Sequence, residues 1–149
     1  MIATKYNQFL AVKYLITYGA EVNESYHSGW TPIMIASKNG NLEMVKYLRS
    51  NGGLIQSQNR HGWTSLMAAA EGGHVDIVRY LIQCHADVNA RNKNGWTALM
   101  IASSKGYISV VEELLKNGAI SCINIKDNVG WTALMVASQN GYKSIVERL

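Results

Sequence analysis

The sequence predicts an all-α solenoid of stacked helix-turn-helix units joined by hairpin loops. Three observations predict it. An octapeptide recurs at a nearly constant interval, each copy places a threonine where a helix begins, and a glycine follows about two helical turns later. Gly29-Trp30-Thr31-Pro32-Ile33-Met34-Ile35-Ala36 returns as Gly62-Trp63-Thr64-Ser65-Leu66-Met67-Ala68-Ala69. It returns again as Gly95-Trp96-Thr97-Ala98-Leu99-Met100-Ile101-Ala102 and as Gly130-Trp131-Thr132-Ala133-Leu134-Met135-Val136-Ala137, at offsets of 33, 33 and 35 residues. Periods of this length mark repeat architectures, in which each unit buries its apolar face only against its neighbours.

Each element of a unit follows from its residues. Thr31, Thr64, Thr97 and Thr132 can accept hydrogen bonds from the first free N–H groups of a helix. Pro32 stands at the first helical position, where its missing N–H costs nothing. Small residues (Ala36, Ala69, Ala102, Ala137) let neighbouring helices approach, and Gly40, Gly73, Gly106 and Gly141 end the first helix. A second, amphipathic helix follows, as in Val75-Asp76-Ile77-Val78-Arg79-Tyr80-Leu81-Ile82. It closes at Gly19, Gly52 or Gly118, and an extended stretch such as Ala86-Asp87-Val88-Asn89-Ala90 leads to a polar turn, Asn92-Lys93-Asn94-Gly95. The whole chain, 1–149, divides into a partial unit 1–25, full units 26–58, 59–91 and 92–126, and a partial unit 127–149. Neither end carries a polar cap of the kind that closes such stacks, so the chain reads as a segment of a longer array.

Composition excludes several classes. With 48% hydrophobic residues the chain is not disordered. No apolar run approaches the ~18 residues of a membrane span, and the opening Met1-Ile2-Ala3-Thr4-Lys5 does not read as a secretory leader. Cys84 and Cys122 are too few for a disulfide framework, which favours an intracellular location, cytoplasmic or nuclear. The net charge of +4 is scattered, with Lys38, Glu71 and Lys105 alternating along one ridge, so no nucleic-acid partner is expected. His27, His61, His74 and His85 occupy different places in different units and form no ligand spacing, so no metal is expected. No phosphate-binding loop ends in Lys-Ser/Thr, and Glu112-Glu113 reads as a solvated helix face. No enzyme, cofactor or small-molecule substrate is expected.

The marks Gly-x-Thr at the helix start, Gly73-His74, Gly19-Ala20-Glu21-Val22-Asn23 and Ala86-Asp87-Val88-Asn89 at this period resemble the ankyrin repeat along the whole chain. The departures are informative. Met34, Met67, Met100 and Met135 replace the family's usual histidine, whose imidazole bridges units, so this stack should rely more on packing. Ser65, Ala98 and Ala133 replace its proline. His85 replaces the glycine after the second helix, and a left-handed backbone would cost it of order 1 kcal/mol, so this joint is expected to bend differently. Two extra residues near Ile120-Ser121-Cys122 predict a loop bulge.

The resemblance implies a non-catalytic scaffold whose concave face, built from loop tips and first helices, binds another protein; the alternative is a substrate-recruiting or regulatory segment of a larger enzyme, channel or secreted effector. Positions that vary between units are free to address a partner, which makes Lys38, Arg60, His61, Glu71, Lys93, Asn94, Lys105 and Gln139 candidates. Trp30, Trp63, Trp96 and Trp131 form a column that reads as a structural ladder or as interface anchors. Tyr14, Tyr47 and Tyr80 fall on the core edge of second helices. The resemblance also implies possible hydroxylation of Asn23 and Asn89, set against the simpler role of holding a turn.

Overall fold

The computed structural model describes the backbone of all 149 residues and every side chain except that of Cys122. Among the described residues ten α-helices form five helix-turn-helix pairs. These are α1 (Ile2–Lys5) with α2 (Phe9–Thr17), α3 (Pro32–Lys38) with α4 (Leu42–Ser50), and α5 (Ser65–Gly72) with α6 (Val75–Gln83). The last two are α7 (Ala98–Lys105) with α8 (Ile108–Lys116), and α9 (Ala133–Gln139) with α10 (Lys143–Val146). The first helices α1, α3, α5, α7 and α9 pack side by side as one layer, and α4, α6, α8 and α10 form the second. No strand occurs among the described residues; the loops are built from turns.

Each threonine performs the capping its position predicts. Its Oγ1 accepts the N–H of Met34 (3.4 Å), Met67 (3.2 Å), Met100 (3.3 Å) or Met135 (3.3 Å). Fully buried Ala36, Ala69, Ala70 and Ala102 line the contacts between successive first helices. Valines 45, 78 and 111 and leucines 48, 81 and 114 recur at a 33-residue interval on the inner face of the second helices. Met34, Met67 and Met100 are buried in the core. Burying such a side chain contributes roughly 1.5–3 kcal/mol, against about 1 kcal/mol net for a hydrogen bond. Packing at this position therefore compensates for a lost polar bridge. The same positions are open in α9: Leu134 is 42% and Met135 47% exposed, whereas Leu66 and Leu99 are 1%. At the other end Leu15 is 46% exposed and its counterpart Leu48 1%.

Two expectations need correcting. His85 adopts the left-handed conformation after all, at φ 64°, and the joint keeps the geometry of its glycine counterparts. The N–H groups of His85 and Ala86 reach the carbonyls of Ile82 and Leu81, as those of Gly19 and Ala20 reach Ile16 and Leu15. The joint is held from outside: Gln56, one unit earlier, donates its amide N–H to the His85 carbonyl and accepts the Asp87 N–H at 3.3 Å. Those bonds offset a strain of order 1 kcal/mol. The second correction concerns Tyr14, which is exposed and tilted against Tyr18 at 4.4 Å, whereas Tyr47 and Tyr80 are half-buried.

The two inserted residues are taken up by a 3₁₀ turn, Ala119–Cys122, and the loop tips resume their register. Arg60 N–H donates to Ser28 O at 2.8 Å, Lys93 N–H to His61 O at 3.0 Å and Asn128 N–H to Asn94 O at 3.0 Å. These bonds tie each tip to the preceding one.

The glycines ending the first helices have a second role that the sequence does not announce. Gly40, Gly73 and Gly106 each seat the ring that begins the second helix of the next unit. A Cβ at Gly40 would lie 2.5 Å from His74, at Gly73 2.9 Å from Tyr107 and at Gly106 2.7 Å from Tyr142. His74 also brings Nε2 to 3.0 Å from the Lys38 carbonyl, bridging two units. Gly106 (φ 79°) and Gly141 (φ 74°) have matching backbones, but nothing lies within 4 Å of a Cβ at Gly141. Both Gly→Ala variants carry the left-handed cost of about 1 kcal/mol. Gly106→Ala should lose a further 1–3 kcal/mol or so through overpacking, read as a lower urea midpoint than that of Gly141→Ala.

Candidate functional site

The loop tips decide where the tryptophans point. Asn59, Asn92 and Asp127 are buried at the start of successive turns. Asn59 Oδ1 accepts the N–H groups of His61 (2.8 Å) and Trp63 (2.9 Å). Asn92 Oδ1 accepts those of Asn94 and Trp96, both at 2.9 Å. Asp127 Oδ1 accepts those of Val129 and Trp131, both at 2.9 Å. Asn and Asp side chains favour such turns because their oxygen reaches backbone donors two residues on. Each turn closes by a second bond, from the N–H of its first residue to the tryptophan carbonyl. The indole therefore leaves a fixed backbone.

The first turn lacks this device because Tyr26 occupies the position, and Ser28 takes up a positive φ of 62°. There Trp30 leans on Trp63 with ring centroids 6.1 Å apart, the one tryptophan pair in ring contact among the described residues. Lys38 Nζ sits 5.6 Å from the Trp30 ring and 2.8 Å from Glu71 Oε2. The alternating charges on the ridge thus satisfy each other at this point.

Farther along, the spaces between indoles are open. Trp63 and Trp96 wall a groove of about 320 Å³, with Glu71, Asn92, Asn94, Ile101, Ser104 and Lys105. Trp96 and Trp131 wall a second of about 430 Å³, with Asn94, Ser104, Asp127, Asn128, Val129, Val136, Gln139 and Asn140. All four tryptophans are half-buried. Trp96 is shared by both grooves and is the best anchored, since its Nε1–H donates to Asp127 Oδ2 at 2.9 Å. Burial alone would raise the Asp127 pKa, but bonds from the N–H groups of Trp131 and Val129, the Trp96 indole and Gly130 bring it below the ordinary carboxylate value.

Of the candidates named from sequence, Trp63, Glu71, Asn94, Trp96, Lys105, Trp131 and Gln139 line these grooves. Trp30 and Lys38 adjoin them through Trp63 and Glu71. Arg60, His61 and Lys93 are exposed at the tips, outside the groove walls. Sequence reasoning passed over Asn92 and Asp127 as site residues. Their signal was available: an Asn or Asp stands three residues before the glycine in three consecutive loops.

The opposite side, formed by second helices, differs in character. Arg79 grips Glu113 at 2.9 and 3.2 Å, and Arg148 approaches Glu112 at 3.9 Å. The hydrogen bond between Arg79 and Glu113 raises the pKa of the guanidinium and lowers that of the carboxyl. Asn23 uses both ends of its amide across units, donating to Gly52 O and accepting from Leu54 N–H, each at 2.9 Å. The side chain of Asn89 reaches Ser121 Oγ at 3.3 Å. Cys84 is a free, half-buried thiol, while the Cys122 side chain falls outside the described residues.

The family model of ankyrin repeats, in three copies, matches residues 1–92 and 82–149. The chain belongs to the ankyrin-repeat family. No curated protein matches it. Ankyrin repeats are generally protein–protein interaction modules and typically non-enzymatic. Among the described residues no helix is long and apolar enough to cross a membrane.

The Asp127 contact makes two predictions. A carboxylate whose folded pKa is depressed stabilises the fold above its unfolded value, about 3.9, and ceases to as pH falls through the folded value. Asp127→Asn, which sets an amide NH₂ against the Trp96 N–H, should lower the urea midpoint at pH 7. The gap to wild type should close below about pH 4. Conversely, Asn92 occupies the equivalent place beside Trp63, and its Oδ1 is already committed to backbone donors. Asn92→Asp supplies the missing acceptor and should stabilise the protein by about 0.5–1.5 kcal/mol at pH 7, seen as a raised urea midpoint.

Proposed function

We propose that this ankyrin array is a non-catalytic scaffold that binds a partner protein through its concave face, the side formed by loop tips and first helices. The observation that carries the reading is the pair of grooves walled by tryptophan on the tip side. The tip side leaves Arg60, His61, Lys93 and Lys105 exposed around two tryptophan-walled grooves. Half-buried tryptophan within a rim of polar groups is the usual composition of an interface centre. A tip held by paired turn bonds presents this surface already ordered, so docking sacrifices little conformational entropy.

Ladder and anchor are compatible roles for Trp96. Its indole edge bonds Asp127 while its ring faces both grooves. The pairing of Lys38 with Glu71 breaks any basic stripe and supports a protein over a nucleic-acid partner. We place the function in the cytoplasm or nucleus, where a free thiol such as that of Cys84 is stable.

The test is affinity capture from native lysate with the intact chain and with a His61→Glu/Lys93→Glu/Lys105→Glu variant. All three residues are exposed, so the variant should keep its urea midpoint. Capture of the specific partner should fall at least tenfold, equivalent to about 1.4 kcal/mol. A convex-side control, Lys116→Glu, should capture as well as wild type. Undiminished capture by the triple variant would move the site off this face.

A further inference from the structure

The trough beside the first helices has a period of its own, and the inference drawn from it deepens the concave-face reading and rests on it. We propose that the trough across Trp63, Trp96 and Trp131 docks an extended, proline-rich segment in the polyproline II conformation, with prolines three residues apart and an acidic residue beside them.

The period of the trough carries this. Its two slots lie between successive indoles and share Trp96, Asn94 and Ser104. They are therefore one repeat unit apart, a distance set by the packing of consecutive first helices at about 8–10 Å. Polyproline II has three residues per turn and rises roughly 3.1 Å per residue, so equivalent side chains recur at about 9.3 Å. One slot meets one turn. In a β-strand, same-face residues recur at roughly 6.6–6.8 Å and fall out of register by the second slot. An α-helix recurs at about 10.5 Å over seven residues, but it is a cylinder of about 10–12 Å. It would lie across the mouths of the two slots, of about 320 and 430 Å³, and enter them only with its side chains, whereas an extended segment seats its backbone against their walls as well.

The chemistry of the walls agrees with the period. A proline ring is rigid, apolar and flat enough to stack on an indole face, and the segment is already ordered before binding. Its carbonyls point outward without internal partners. Asn94 and Gln139 bring amide N–H donors to the walls. The charge balance selects the flanking residue. Glu71 is neutralised by Lys38 at 2.8 Å, and Asp127 is occupied by Trp96 and by backbone N–H groups. Lys105, exposed on the wall of the first slot, keeps an uncompensated positive charge. It faces an acidic side chain when the prolines are seated. The trough also has a defined end, because Trp30 leans on Trp63 and closes the space where a third slot would lie.

The experiment follows the four indole N–H signals of the intact ¹⁵N-labelled chain, assigned through single Trp→Phe variants. The probes are synthetic nonapeptides of alanine carrying one glutamate and two prolines, with the prolines two, three or four residues apart. With spacing three, the signals of Trp63, Trp96 and Trp131 should move and that of Trp30 should stay. The other spacings should bind at least tenfold more weakly, and Lys105→Glu should weaken binding about fivefold. Ser104→Trp, which fills both slots from their shared wall, should abolish binding. Should that variant unfold, Gln139→Trp blocks the second slot alone and should remove the spacing preference.

Equal binding of all spacings, motionless indoles at millimolar peptide, or a peptide that turns helical on binding would each overturn the proposal. The two levels separate cleanly in lysate capture. If Ser104→Trp loses the native partner while no peptide binds, the polyproline assignment fails and the concave face stands. If capture survives Ser104→Trp and no peptide binds, both fail.

Discussion

Among the described residues no helix exceeds nine residues. Isolated helices shorter than about 12–15 residues are marginal in water, so none of the ten is stable by propensity. What holds them is the contact between one unit and the next, and every other property depends on keeping that contact in register. The alanines between first helices bring neighbouring backbones close, and the valine and leucine rows of the second helices fill the space behind them. Methionine at the head of α3, α5 and α7 belongs to the same economy. It gives up directional bonding and adds flexible volume to an interface where volume carries most of the stabilisation.

The loops add orientation to this packing. A single oxygen on Asn59, Asn92 or Asp127 satisfies two backbone donors and so fixes where the following indole leaves the chain. The difference between these residues matters on the other side of the group. A carboxylate has a second oxygen to offer the neighbouring tryptophan, whereas an amide has two donors. Among the described residues, only the last of the three turns is therefore bonded to the indole beside it. The first full unit, with Tyr26 in place of the Asx residue, displays the effect of a missing acceptor: the tip is rebuilt around Ser28, and Trp30 leans against its neighbour.

Most of the fold was legible in the sequence because a repeat supplies its own internal comparison. Threonine caps, glycine stops and the apolar rows could each be read several times over. What escaped reading depends on contacts between units, which no single unit displays. The rings of His74, Tyr107 and Tyr142 seated on glycines are one example, since three different residues occupy one structural place. His85 is another. Local cost argued against a left-handed histidine, yet Gln56 from the preceding loop holds it there. At the candidate site the variable residues were found by their variation. Asn92 and Asp127 were missed because their near-constancy resembled scaffolding, although they also form groove walls.

A stack whose units touch only their neighbours behaves as a one-dimensional cooperative chain. Trp63 and Trp96 rise from units that are packed on both sides, α5 with α6 and α7 with α8. To free either indole from its backbone, two interfaces must open rather than one. Amide exchange around α5–α8 should therefore be slow, and the grooves are carried by a still part of the array.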